Sequence, residues 1–410
     1  RTLVNKGFAT SLDLIRRHLD MEVLEYPSGQ EVWDWQIPPA WDVNEAYIED
    51  SSGTRLVDFT DNNLHLSAYS IPFDGEVSRE ELFQHLSWIE DRPTAIPYNY
   101  LYYRRDWQFN VAYGQLGRFT DSRYHVRIDV DLRPGTLRIG CCHLRGKSDR
   151  EVVFSTYLCH PSLANDNLSG VVTAVELFKW LAATENRRYS YRLLIVPETI
   201  GAITYLAHHE ESIRRILGAF VVYDCGDRGP IHYKRSYFGD ALVDRVAEHV
   251  LRHYTDGACI RPWYPGGSDE RQFNAPGVRI PAGALTRTPA GEYPEYHTSL
   301  DTLDTLSGDC LFEAAAALFR FVQVIERDRV YVNRYKGEPC VSRHGLAYPV
   351  QRGDEGEETK FLVKKCMHEF DGTHSLLQIA DKWGAPFDQV DAIAEDFVRA
   401  GLIEPAVSSA

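Results

Sequence analysis

No run in this sequence approaches the ~20 consecutive apolar residues that a membrane-spanning helix requires. Its most apolar stretches, Arg192–Val196 and Gly218–Tyr223, have the length of buried strands. The opening residues Arg1–Lys6 lack the apolar core of a secretory signal. Paired cysteines are missing as well: the eight cysteines are scattered and none forms a C-x-x-C. That spacing argues against a cysteine-built structural zinc site. In a chain this long it points to reduced thiols in a cytoplasmic protein rather than a disulfide framework. Positive charge is in short supply, with 44 Lys and Arg against 59 Asp and Glu and a net charge of −15. A polyanion such as DNA would be repelled by that mean field, which counts against nucleic acid as a partner and suits a site that binds cations. Internal repeats are absent.

The composition, 44% hydrophobic and 25% charged, is that of a folded globular protein, and 410 residues are enough for two or three domains. Residues 1–50 open with an amphipathic helix expected at Ser11–Leu19, and the prolines of Val32–Pro39 favour extended or turn structure. Residues 51–133 carry short alternating segments, Thr54–Phe59, Leu64–Ile71 and Arg123–Leu132, which predict a small β-rich module. One helix interrupts it, with Ser78 as N-cap and Glu80 and Glu81 in its first turn. From residue 134 to about 335, strand-like runs (Glu151–Leu158, Arg192–Val196, Ala219–Tyr223) alternate with helical ones such as Gly170–Thr184. That alternation predicts an α/β fold with a mainly parallel sheet flanked by helices. A polar linker, Gln351–Thr359, leads to helical runs at Lys360–Phe370, Ser375–Trp383 and Phe387–Ala400 and then to Gly401-Leu402-Ile403. Three short helices and a terminal strand predict a winged-helix-like domain over 345–410.

Polar residues able to bind metal recur where the predicted strands end. His160 follows the first of these strands, and Asp166 lies in the loop before a helix. Imidazole and carboxylate are zinc ligands, although Asp is also a favoured helix N-cap. Glu198 follows the next strand. A carboxylate there can take a proton from an attacking water and return it to a leaving amine, or it can simply complement a helix dipole. Asp224 and Asp227 follow the third strand, where one is a candidate ligand and the other a turn residue. His297 is a further candidate ligand, with Asp301 as its supporting carboxylate or a helix cap. Each residue alone has an ordinary structural explanation. Their recurrence at successive strand ends, where open α/β sheets bind ligands, favours a site. Ser268, in Gly267-Ser268-Asp269-Glu270-Arg271-Gln272, lacks the G-x-S-x-G elbow of a serine nucleophile.

Five stretches, Asn63–Ser70, Cys159–Gly170, Pro197–Gly201, Gly267–Gln272 and Glu295–Asp301, occur in an order that resembles the zinc aminopeptidase superfamily. The likeness is closest to a bacterial aminopeptidase-like subfamily with an inserted β-rich domain of unknown function and a C-terminal winged helix. The resemblance implies a catalytic domain from residues 1–50 and 134–335, with 51–133 inserted. It implies His160 and His297 as histidine ligands, Asp166 as the carboxylate that bridges two metals in dinuclear members, Asp224 (rival Asp227) as a further ligand, and Glu198 as general base. Ser268, Asp269, Arg271 and Tyr296 would line the substrate pocket, with Tyr296 or Arg271 at the oxyanion. Dinuclear members carry a second acid after the base, whereas this chain has Thr199, a poor ligand. One zinc is therefore expected, with room left for a weak second metal.

The implied activity is hydrolysis of an amide or peptide bond in a peptide or small molecule. Two alternatives stand beside it. One is a non-catalytic zinc-site binding or scaffold protein. The other is a deacylase or acyltransferase acting on a biosynthetic intermediate, polysaccharide biosynthesis being a family association only. The C-terminal domain mixes many acids (Glu369, Asp371, Asp381, Asp388, Asp391, Glu395, Asp396) with few bases, which favours docking of a protein over groove binding to DNA.

Overall fold

The computed structural model describes residues 1–346 and 354–406. The chain divides into two units, Arg1–Val243 with Gly257–Ala316, and Asp244–Asp256 with Ala317–Ala410.

The first unit is built on an eight-stranded mixed sheet. Its strands in chain order are β1 (Glu22–Pro27), β2 (Thr136–Leu144), β3 (Glu151–Tyr157), β4 (Ser190–Val196), β5 (Ile216–Val222), β6 (His232–Lys234), β7 (Cys259–Arg261) and β8 (Ala282–Thr286). Their spatial order is β1-β2-β4-β3-β5-β8-β6-β7. The four central strands, β4, β3, β5 and β8, run parallel, while β2 and β6 join them antiparallel on either side. Every residue of β3 is buried, as expected for a strand covered on both faces. The helix after it, Gly170–Ala183, buries Val171, Ala174, Val175, Leu177, Phe178 and Leu181 on one stripe.

This helix approaches β5 so closely that a Cβ on Gly170 would lie 2.5 Å from the Val222 carbonyl oxygen and 2.8 Å from Tyr223 Cα. Those are backbone atoms that cannot swing aside. Gly170→Ala should therefore cost roughly 1–3 kcal/mol, read as a lower thermal-melting midpoint. A variant that melts with the wild type contradicts so tight a contact.

A smaller antiparallel sheet has the order Arg55–Asp58, Ala40–Glu49, Arg123–Arg133, Phe73–Ser78. Its long strand Arg123–Arg133 buries Tyr124, Val126, Ile128 and Val130 in alternation. Ser78 caps the helix Arg79–Gln84 by accepting from the Glu81 N–H. Two local expectations change. The N-terminal helix is Lys6–Ile15, started early by the Asn5 side chain, which accepts from Phe8 N–H. Leu64–Ile71 forms a short turn at Asn63–His65 and then irregular chain. Its Ser67, Ala68 and Ile71 N–H groups bond to Gln108, Asn99 and Asp106 carbonyls, and Tyr69 takes a left-handed conformation (φ 67°), so no regular ladder forms.

The second unit contains an antiparallel three-stranded sheet, Asp371–Ser375, Val330–Asn333, Ile403–Pro405, with helices Asp354–Glu369, Leu376–Trp383 and Phe387–Arg399. Ser375 and Gln378 close a capping box on the middle helix. Of the expected linker, residues 351–353 lie outside the described residues and 354–359 begin the first helix. No helix among the described residues is long and apolar enough to cross a membrane.

Candidate metal centre

Because β4, β3 and β5 are adjacent and parallel, their carboxyl ends share one edge of the sheet, and the residues just past them meet. His160 follows β3, Glu198 follows β4 and Asp224 follows β5. His297 reaches the same place from the long loop after β8. His297, Thr199 and Asp224 all hold positive φ (51°, 65° and 49°), an uncommon backbone state for residues with a Cβ, here gathered at one locus.

The side chains of His160, Asp166 and His297 each present one donor atom, and these atoms lie within 4.8 Å of one another. Asp166 is fully buried. Its Oδ1 accepts from the Tyr157 hydroxyl at 2.5 Å. Its Oδ2 makes no hydrogen bond and lies 3.0 Å from His297 Nε2 and 3.9 Å from His160 Nε2. Burial alone would raise the Asp166 carboxyl, but the facing His160 and His297 outweigh it and hold the group at about 2. Desolvation keeps the His160 imidazole down at about 4, so at neutral pH it is the uncharged form that can donate a lone pair. A buried carboxylate oxygen without a hydrogen bond, flanked by two imidazole nitrogens, fits a zinc ion. Donors bonded at ~2 Å to one ion lie at most about 4 Å apart, so only a small closure is needed.

Glu198 borders this group, with Oε2 3.8 Å from His160 Nε2 and Oε1 accepting from the Ser268 hydroxyl at 2.9 Å. Desolvation and the Asp166 charge push its carboxyl up to about 7. Asp224 is buried outside the three-donor group. Its Oδ1 accepts from the Tyr293 hydroxyl at 3.3 Å, and its Oδ2 has no hydrogen bond. Burial and the Asp166 and Asp301 charges lift it well above the carboxylate range. Asp227 is engaged elsewhere, by Asn165 Nδ2, Gly229 N–H and Thr288 N–H and hydroxyl. The Asp301 carboxylate accepts from the N–H groups of Asn165 (2.7 Å) and Asp166 (2.9 Å), so it shapes the loop that carries Asp166. Asp269 accepts from Thr199 N–H at 2.6 Å, Arg271 donates to the Thr199 hydroxyl at 3.3 Å, and the Tyr296 ring stacks on His297 at 4.0 Å.

Four participants carry no clear sequence signal. Tyr157, the last residue of β3, holds Asp166. Tyr98 packs its ring 4.9 Å from His160 and 5.1 Å from His297. It arrives there because the Tyr98 N–H bonds to the His297 carbonyl and the Ser299 N–H to the Ile96 carbonyl. Lys234 and Glu270 form a buried ion pair under the Gly266–Glu270 loop, with Glu270 also accepting from Ser268 N–H.

Solved aminopeptidases share this fold. A zinc aminopeptidase from Bacillus subtilis superposes with a TM-score of 0.59 at 14% identity, covering 79% of this chain and 90% of that one. The chain belongs to the family described as a domain of unknown function (DUF4910), which matches residues 1–328, followed by a winged helix-turn-helix that matches residues 329–405. A curated relative from Clostridium acetobutylicum is 36% identical over 98% of this chain and 93% of its own length. Its name assigns it provisionally to polysaccharide biosynthesis and gives it an aminopeptidase-like domain. A crystal structure from the same species, provisionally titled a peptidase, matches with a TM-score of 0.91 at 36% identity, covering 99% of this chain and 93% of that one.

Proposed function

We propose that the chain is a zinc-dependent hydrolase of amide or peptide bonds, built on the aminopeptidase plan. The observation that carries this reading is the buried Asp166 oxygen, free of hydrogen bonds between His160 and His297, with the Glu198 carboxylate beside it. His160, Asp166 and His297 would hold one zinc. Asp224 is better placed than Asp227 to complete the set, because its Oδ2 is uncommitted and the Asp227 carboxylate is consumed by turn contacts. When bound, zinc lowers the pKa of a water ligand towards ~7 and polarises the carbonyl under attack.

The chain's own groups do the rest. Glu198 takes a proton from the attacking water and returns it to the leaving amine. Ser268 holds Glu198 Oε1, which leaves Oε2 turned towards His160. Tyr157 and Asp301 orient Asp166, and Tyr296 braces the His297 ring. Asp227 supports the same loop through Asn165. The Thr199 hydroxyl, engaged by Arg271, disfavours a second tightly held metal. In this reading residues 1–50 and 134–335 form the catalytic framework, 51–133 the insert, and the acid-rich 345–410 region a docking module for a protein partner, in a cytoplasmic enzyme.

The direct test is turnover of a panel of peptides, amino-acid amides and N-acyl amines by the zinc-loaded protein. Hydrolysis of at least one class is expected. Stoichiometric zinc without any turnover would favour the binding-protein reading.

Asp301 offers a finer check. An asparagine there loses one of the two acceptor oxygens that fix the Asn165 and Asp166 N–H groups. Asp301→Asn should weaken zinc affinity about 10–100-fold in a competitive chelator titration. Unchanged affinity would mean that the loop is held without it.

A further inference from the structure

Arg271 is half-buried, and its guanidinium is tied at one side to neutral oxygens. Nε donates to the Ser268 carbonyl at 3.0 Å and Nη2 to the Thr199 hydroxyl at 3.3 Å. Both anchors flank the general-base candidate. Ser268 is the residue whose hydroxyl binds Glu198, and Thr199 is its chain neighbour. Among the described residues Arg271 forms no ion pair, and its Nη1 has no hydrogen-bond partner. Arg192, Lys234 and Arg287 of the same unit are paired with Glu151, Glu270 and Glu313, whereas Arg1 and Arg187, like Arg271, are held by neutral oxygens. Its charge acts on the neighbouring Glu198 and Asp269 carboxyls, lowering both against the burial that raises them, while the Nη1 edge of the fork is left for a ligand.

The wall nearby is aromatic. Tyr100 leaves 49% of its surface exposed, stacks on Tyr102 at 4.3 Å and 19°, and meets the Tyr98 ring at 5.9 Å. The hydroxyl of Tyr102 is within 3.3 Å of that of Tyr98, which packs on both histidines. The Arg271 charge is felt at Tyr100, where burial and the Glu198 charge raise the phenol and Arg271 opposes them.

We propose that Arg271 binds a carboxylate of the substrate, so that the site takes N-acylated, carboxylate-bearing amides with an apolar flank against Tyr100, and not substrates with a free α-amine. This rests on the hydrolase reading for its chemistry, but not for its binding. A planar fork with one free edge matches a carboxylate. A fixed cation beside Glu198 repels an ammonium, and it holds the hydroxyl of Thr199, the position where the resemblance would place a second acid.

The test is calorimetric binding to the zinc-loaded full chain, in wild type, Arg271→Met and Arg271→Lys. The probes are N-acetyl-leucine, N-acetyl-leucinamide, leucinamide and inorganic phosphate. The first two differ only in carboxylate against carboxamide. The wild type should bind N-acetyl-leucine at least tenfold more tightly than N-acetyl-leucinamide. Arg271→Met should erase that difference with zinc content unchanged, and Arg271→Lys should keep part of it. A merely structural Arg271 would weaken both ligands alike and leave their ratio intact. Tighter binding of leucinamide, an unchanged ratio in Arg271→Met, equal competition by phosphate, or no binding of N-acetyl-leucine at millimolar concentration each overturns the proposal. Failure of every amide to turn over, with the carboxylate preference intact, would sink the hydrolase reading alone.

Discussion

Glu198→Gln should lower kcat/KM of the zinc-loaded protein on its amide substrate by about 10²–10⁴-fold, while zinc content and melting temperature stay close to wild type. Glutamine has the same shape, and its amide oxygen can still accept from Ser268, so the local packing survives. What it loses is a basic oxygen facing His160 and the metal group. A general base is the one role in this site that isosteric removal of a charge abolishes without disturbing the ligands. Retention of most of the activity would show that another group moves the proton. The buried Asp269 would be the first to examine, since it bonds to the Thr199 N–H next door and its Oδ2 has no partner.

Removal of the metal should be almost as costly to stability as loss of Glu198 is to rate. Asp166 and Asp224 are both fully buried, each with an oxygen that makes no hydrogen bond. A divalent cation satisfies such atoms, and a ligand that binds only the folded state stabilises it by about 2.7 kcal/mol at a hundredfold excess over Kd. Zinc added to chelator-treated protein should therefore raise the melting midpoint by several degrees. Asp166→Asn should lose most of that rise, because a neutral amide is a far weaker ligand than a carboxylate. The zinc-induced shift is the quantity to compare, not the absolute midpoint, since the substitution also alters the contact with Tyr157. An equal zinc-induced shift in wild type and variant would place the metal elsewhere, and no shift in either would deny it.

The sheet was readable because β3, β4 and β5 are short apolar runs ending in abrupt polar loops, and the residues that end them, His160, Glu198 and Asp224, inherit their positions from parallel pairing alone. Asp301, expected to support His297 or cap a helix, instead accepts from the N–H groups of Asn165 and Asp166, more than a hundred positions away, which no local pattern signals. Tyr98 was not readable: it reaches the histidines through backbone bonds between segments some 200 positions apart, which leave no local periodicity. The pairing of Arg271 with Thr199 spans 72 positions and joins a short helix to a loop. In the second unit the strand Val330–Asn333 leaves no sequence signal because it is brief and half-buried throughout, so its burial pattern does not alternate.

The most direct measurement is anomalous scattering recorded on either side of the zinc absorption edge, from crystals of the full chain grown with zinc. The account predicts one strong zinc peak at bonding distance, about 2.0–2.2 Å, from His160, Asp166 and His297, with Glu198 beside it. Those three side chains left bare while zinc binds at another place would contradict it.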